Sequence, residues 1–202
     1  MARPLRERIA KVAIGVAAMV PAAGTAWQAF HAELGPNPIA EALNQLGLWT
    51  LILLLATLAC TPIKIVTGWN FPLRLRRMLG LETFAYAFLH FSVYLGVDQF
   101  FDFHEIGVDI VKRKFITVGF LAFLLLIPLA VTSTDGMVRR LGFKRWKSLH
   151  RLVYLIGALG VIHFVWRVKS DLRKPLIAAI VLALLLLIRV VDGARAPRRQ
   201  RA

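Results

Sequence analysis

The sequence predicts an all-α integral membrane protein: a six-helix transmembrane bundle with both termini cytoplasmic. Three observations carry that expectation. Hydrophobic residues make up 58% of the 202 and charged residues only 18%, a balance foreign to soluble domains. Six apolar stretches approach the roughly 20 residues needed to cross a bilayer. Lys and Arg outnumber Asp and Glu by 26 to 11, for a formal charge of +15, and the basic residues are gathered between the apolar stretches. Such segregation marks the cytoplasmic ends of spans and contact with anionic membrane lipid. No nucleic-acid-binding motif or aromatic-basic array accompanies the charge, so nucleic acid is not an expected partner.

The stretches are residues 12–30, 43–63, 81–101, 115–134, 149–167 and 175–191, in one membrane domain over 1–192 followed by a basic cytoplasmic tail, 193–202. The first, after "MARPLRERIAK" and ending near "AAGTA", also has the outline of a signal peptide cleaved near Ala26. Its apolar length from Val12 to Phe30 nevertheless reaches that of a span, and keeping it gives an even helix count. The second contains Cys60, the only cysteine, so there is no intrachain disulfide, no CxxC pair and no C-x-x-C-H for covalent haem. The third carries His90. After the fourth comes "TSTDGM", where Thr134 or Asp135 suits the cap of a short amphipathic segment with Met137, Val138 and Leu141 on its apolar side. Trp146 and Trp166 bracket the fifth as an aromatic belt would, and Arg189 near the end of the sixth is long enough to reach an interface.

Orientation follows the basic residues. The N-terminus (Arg3, Arg6, Arg8, Lys11), the second loop (Lys64, Arg74, Arg76, Arg77), the fourth (Arg139, Arg140, Lys144, Arg145, Lys147) and the tail (Arg195, Arg198, Arg199, Arg201) face the cytoplasm. The first loop, "HAELGPNPIAE", has no Lys or Arg, and the third, "DQFFDFHEIGVDIVKRK", is mixed; both face outward. The fifth loop (Arg167, Lys169, Asp171, Arg173, Lys174) must also lie outside although it is net positive. It is the one violation of the pattern.

Histidine within a span is costly when charged and needs a polar partner when neutral, so each one is a functional candidate. His31, beside Glu33 at the end of the first span, is interfacial. His90 sits mid-span with no charge between Glu82 and Asp98. His150 and His163, thirteen residues apart, lie about 20 Å from each other along one axis, one toward each face of the bilayer. On a straight helix they would be offset by roughly 140°, which requires a local bend or different approach directions. By depth His90 can pair with either. His104, in an acidic interfacial setting, is a further candidate partner for His163. Histidines at separate levels, with no Cys or carboxylate at their depth, fit bis-histidine ligation of one or two noncovalent haem b groups better than a zinc site. The rival is a small membrane transporter or structural membrane protein whose histidines relay protons or join helices.

Four segments, "ATLACTPIK" (56–64), "RRMLGLETFAYAFLHF" (76–91), 112–155 and "VIHFVWRVK" (161–169), carry a resemblance that covers nearly the whole chain. They resemble the MsrQ family, haem-binding membrane subunits of bacterial periplasmic protein-methionine-sulfoxide reductases, and more distantly the ferric-reductase and NADPH-oxidase membrane domain. The resemblance implies a ferric-reductase-like bundle in the bacterial inner membrane, with His90, His150 and His163 as haem-iron ligands. His104 is not part of the family's pattern. It also implies FMN, and electrons drawn from the quinone pool or a cytosolic flavin reductase. They would pass to MsrP, a periplasmic molybdopterin enzyme that repairs oxidised proteins. Arg77 and Arg151, flanking the histidine helices, are candidates for haem propionates or an FMN phosphate. No G-x-G-x-x-G segment follows a predicted strand, as a self-contained reductase requires. A non-catalytic electron-transfer subunit is therefore expected, with no catalytic residue of its own.

Overall fold

The protein, described here by a computed structural model, is all helical among the residues the structure describes, 5–168 and 171–199. Lys169 and the end of the basic tail lie outside them. Six helical stretches are long and apolar enough to cross a membrane.

Helix α2 (Pro38–Thr67) is the central element. Asn37 caps it, accepting the Ala40 N–H at 3.1 Å, and Pro38 occupies the first turn, where a missing N–H costs nothing. Gly68, at φ +74°, ends it by donating its N–H to the Lys64 carbonyl, a left-handed cap that favours glycine. Apolar on all sides, α2 contributes to three packed clusters. Leu46, Leu53 and Cys60 meet Leu75, Leu79 and Tyr86 of α3 (Phe71–Val93). Leu51 and Leu58 meet Val161 of α8 (Leu152–Arg167) and Ala178 and Leu182 of the last helix, Arg173–Arg199. Leu54 joins Leu126, Leu129 and Ile156, which ties in α5 (Lys114–Val131).

Two prolines explain the polar ties between spans. In α1 (Leu5–Phe30), Pro21 disturbs the helical ladder, and the Tyr86 hydroxyl enters it. That hydroxyl accepts the Ala22 N–H at 2.9 Å and donates to the Ala18 carbonyl at 2.6 Å. The first stretch is thus fastened to α3 as part of the bundle. Pro62 in α2 has no N–H to offer the Leu58 carbonyl four residues earlier. Arg189 supplies it: Nη2 donates to Leu58 O at 2.5 Å, Nη1 donates to the Tyr154 hydroxyl at 3.1 Å, and the guanidinium stands 5.3 Å from the Tyr154 ring centre. This side chain, which the sequence lets snorkel to the interface, turns into the bundle to satisfy a proline-orphaned carbonyl.

Between the spans the chain is more ordered than the sequence suggests. The third span begins at Phe71, ten residues before the apolar stretch at 81. Pro72 starts the helix, and Arg74, Arg76 and Arg77 lie on its first turns. It ends in a π turn, Tyr94–Asp98, after which Phe100 and Phe101 take φ of +47° and +61° to reverse the chain. The third loop then folds into the amphipathic α4 (Phe103–Lys112), capped by Asp102, with Ile106 and Asp109 buried. Thr134 caps α6 (Asp135–Leu141) by accepting the Met137 N–H at 3.2 Å. The fifth stretch is two helices, α7 (Phe143–Leu149) and α8, separated at His150 and Arg151. The helix is interrupted at His150 itself, whose φ and ψ are −69° and −6°. The last span is α9 (Arg173–Arg199), packed against α2 and α8.

Candidate functional site

A cavity of about 320 Å³ lies between α2, α3, α5 and α8, in the half of the bundle nearest the first and third loops. His90 and His163 line it from opposite sides. Their ring centres are 6.3 Å apart and their planes nearly perpendicular, at 87°. Each ring is held the same way. His90 Nδ1 lies 3.0 Å from the Leu43 carbonyl of α2, and His163 Nδ1 lies 2.7 Å from the Phe115 carbonyl of α5. Because a carbonyl only accepts, each contact fixes the proton on Nδ1 and leaves Nε2 with a free lone pair. A second-sphere hydrogen bond of this kind is typical of metal-ligating histidine.

The neighbouring residue types follow from those bonds. In an α-helix a carbonyl oxygen sits beside the residue four positions on, so an imidazole reaching Leu43 O or Phe115 O must pass over residue 47 or 119. Both are glycine. A Cβ at Gly47 would come within 3.1 Å of His90 Cε1, and one at Gly119 within 2.6 Å of His163 Nδ1. These glycines, which make room for the two rings, are positions that the sequence reading missed. The available signal was a helix-disfavouring residue inside an apolar span, a placement that usually has a packing or functional reason.

The dimensions fit a metal between the rings. A metal–imidazole bond is about 2 Å and each ring centre lies roughly 1 Å behind Nε2, so two axial ligands place their centres about 6 Å apart. The walls suit a flat apolar group: Phe91, Phe120 and Phe123 line the cavity, with Phe91 and Phe123 stacked at 4.8 Å. At the end near the first and third loops lies a buried polar atom without a partner, Asn44 Oδ1. Such an atom is costly unless a bound group meets it. No cluster of three or more His, Cys, Asp or Glu occurs among the described residues.

The other candidates lie elsewhere. His150, at the opposite end of α8, is outside this cavity. Its ring lies against Trp146, the centres 4.1 Å apart and the planes tilted by 30°, and its Nε2 lies 3.0 Å from Thr132 Oγ1. That hydroxyl donates to Pro128 O at 2.6 Å and so accepts from the imidazole. His104 is exposed at the start of α4, and His31 lies against Trp27 at the outer end of α1. Arg77 donates to Asp135 Oδ1 at 2.6 Å, tying α3 to α6, and Arg151 is exposed. Neither arginine lines the cavity; the arginines that do are Arg113 and Arg167.

Comparison with known proteins agrees with this architecture. The family described as "Ferric reductase like transmembrane component" matches residues 45–161, which include the whole of α3 and α5. A protein of Rhodospirillum rubrum named "Protein-methionine-sulfoxide reductase heme-binding subunit MsrQ" is 53% identical, over 98% of this chain and 95% of its own. Proteins of the same name from Herminiimonas arsenicoxydans and Caulobacter vibrioides are 50% and 47% identical. They align over 93% and 95% of this chain, and over 87% and 91% of theirs.

Proposed function

This chain belongs to the MsrQ family, within the ferric-reductase-like transmembrane components, and on that premise we propose that it carries electrons across the bacterial inner membrane to a periplasmic methionine-sulfoxide reductase. The facing pair His90 and His163 carries the reading. In it these two residues would hold one haem b through their Nε2 atoms, while each Nδ1 proton stays on a helix carbonyl. Bound there, the haem would supply a one-electron carrier suited to transfer rather than to oxygen-atom chemistry. The protein's part is to hold the rings rigid through Gly47 and Gly119, to keep water away with the Phe91, Phe120 and Phe123 wall, and to set the polarity at the outer mouth.

His150 is the candidate ligand of a second haem at the inner level, where binding would exchange the Thr132 contact for iron. The acceptor in this reading is MsrP, a molybdopterin enzyme, in a heterodimer with this subunit. The donor is the quinone pool or a cytosolic flavin reductase, with FMN near the basic inner face. The protein is an electron-transfer subunit and not itself the sulfoxide-reducing catalyst. Its one cysteine, Cys60, is buried on α2 and lies outside the cavity.

Vesicles carrying the full chain, reduced from the inside, test this directly. External methionine sulfoxide should be consumed only when the periplasmic reductase is added. Turnover without it would make this chain the catalyst, and no turnover with it would remove the conduit.

A further inference from the structure

The outer mouth of the cavity carries an unexplained charge. Arg167 and Arg113 both line it, beside Asn44, Tyr94 and Asp98. Arg113 is partly engaged, its Nε lying 3.1 Å from Asp109 Oδ1, which leaves its terminal nitrogens available. Among the described residues Arg167 makes no ion-pair contact, the Glu41 carboxylate acting on it only from beyond contact distance, and it is only partly exposed. A guanidinium placed against an apolar cavity needs an anion to offset the loss of water. The buried side-chain amide of Asn44, whose Oδ1 has no partner, is an independent sign that a polar group belongs at this end.

Position selects the anion. Arg167 follows His163 by four residues, which puts it on the same face of α8, one turn or about 6 Å nearer the outside. Arg113 stands across the mouth, just before α5. The cavity therefore reads, from inside outward, as aromatic walls, two imidazoles and two guanidinium groups. That order matches a flat apolar molecule with carboxylates on one edge. Building on the haem reading above, we propose that Arg113 and Arg167 clamp the haem propionates, so that the carboxylate edge faces the outer side of the membrane. The clamp also accounts for part of the positive charge that breaks the orientation rule in the fifth loop: Arg167 is there for a ligand, and its place does not report topology. Guanidinium is suited to this because its planar fork matches a carboxylate.

Full-length apo-protein in detergent is to be titrated with haemin and with haemin dimethyl ester, whose carboxylates are blocked. The wild type should bind haemin more tightly by roughly tenfold or more, as loss of a charge-assisted hydrogen bond implies. Arg167→Gln and Arg113→Gln should each shrink that preference, and Arg167→Lys should restore part of it. In the haem-loaded variants, removing a cation near the iron should favour the ferric state. A tenfold change in the reduction equilibrium corresponds to about 59 mV downward for one electron. Equal affinity of the wild type for haemin and its ester would overturn the clamp while leaving the haem site intact. Binding of neither compound would instead defeat the haem reading itself. A preference for haemin over the ester that is unchanged in both glutamine variants would assign the mouth arginines to another anion, such as a lipid phosphate, and also overturn the proposal.

Discussion

Gly119→Ala isolates the role of the helix backbone in presenting His163. The added Cβ would stand 2.6 Å from Nδ1 and 2.8 Å from Cε1 of the imidazole. A comfortable contact is about 3.5 Å, so the ring must retreat by roughly 0.9 Å. Retreat from α5 lengthens the 2.7 Å bond to Phe115 O toward about 3.5 Å, outside hydrogen-bonding range. Loss of such an outer-sphere partner typically weakens metal binding by about 10- to 100-fold. Gly47→Ala is milder, since its Cβ meets His90 at 3.1 Å and the ring need move only about 0.4 Å; less than about tenfold is expected. Gly24→Ala, with nothing within 4 Å, is the control and should leave binding unchanged. Haem per folded protein, measured as the pyridine haemochromogen on monodisperse samples of matched helicity, should rank Gly24→Ala above Gly47→Ala above Gly119→Ala. Full occupancy in Gly119→Ala would refute the reasoning that glycine is needed to seat the ring.

Further outcomes follow from the same contacts. Arg189→Leu strips the Leu58 carbonyl of its donor and should cost about 1–3 kcal/mol, seen as a lower thermal midpoint in detergent; an unchanged midpoint would show that the carbonyl finds another donor. Tyr86→Phe removes both bonds to α1 and should destabilise by a similar amount, about 1–3 kcal/mol. His31→Ala and His104→Ala should retain haem, whereas His90→Ala and His163→Ala should lose it; depletion in His104→Ala would bring that residue into the site. A reporter active only in the periplasm should work within the first or third loop and stay silent at the C-terminus, and a signal from the C-terminus would invert the orientation.

The bundle was legible because its physics is one-dimensional: long apolar runs and segregated charge decide where spans lie. The outline of the site was legible for a related reason, since His90 and His163 stand out in apolar helices. Their closeness was not, because depth counted from Leu79 misses a helix that begins at Phe71. His150 illustrates a second limit. The offset from His163 required a bend or different approach directions, but the break at His150 involves Thr132, eighteen residues away and close in space. Gly47, Gly119, Arg113 and Arg167 were hidden for the same reason: their roles depend on which helix faces which. Arg167 was read only as a topological anomaly until α8 placed it one turn beyond His163. The tie from Arg189 to Leu58 likewise joins residues 131 apart, a distance over which no sequence period speaks.

The central claim is that His90 and His163 share one iron, and low-temperature electron paramagnetic resonance of the oxidised protein tests it most directly. Near-perpendicular imidazole planes, as in the 87° arrangement here, give a low-spin ferric signal of unusually large anisotropy. That signal should be present in the wild type and in His150→Ala and absent from both His90→Ala and His163→Ala. A signal that survives loss of either His90 or His163, or that disappears only with His150, would contradict the account.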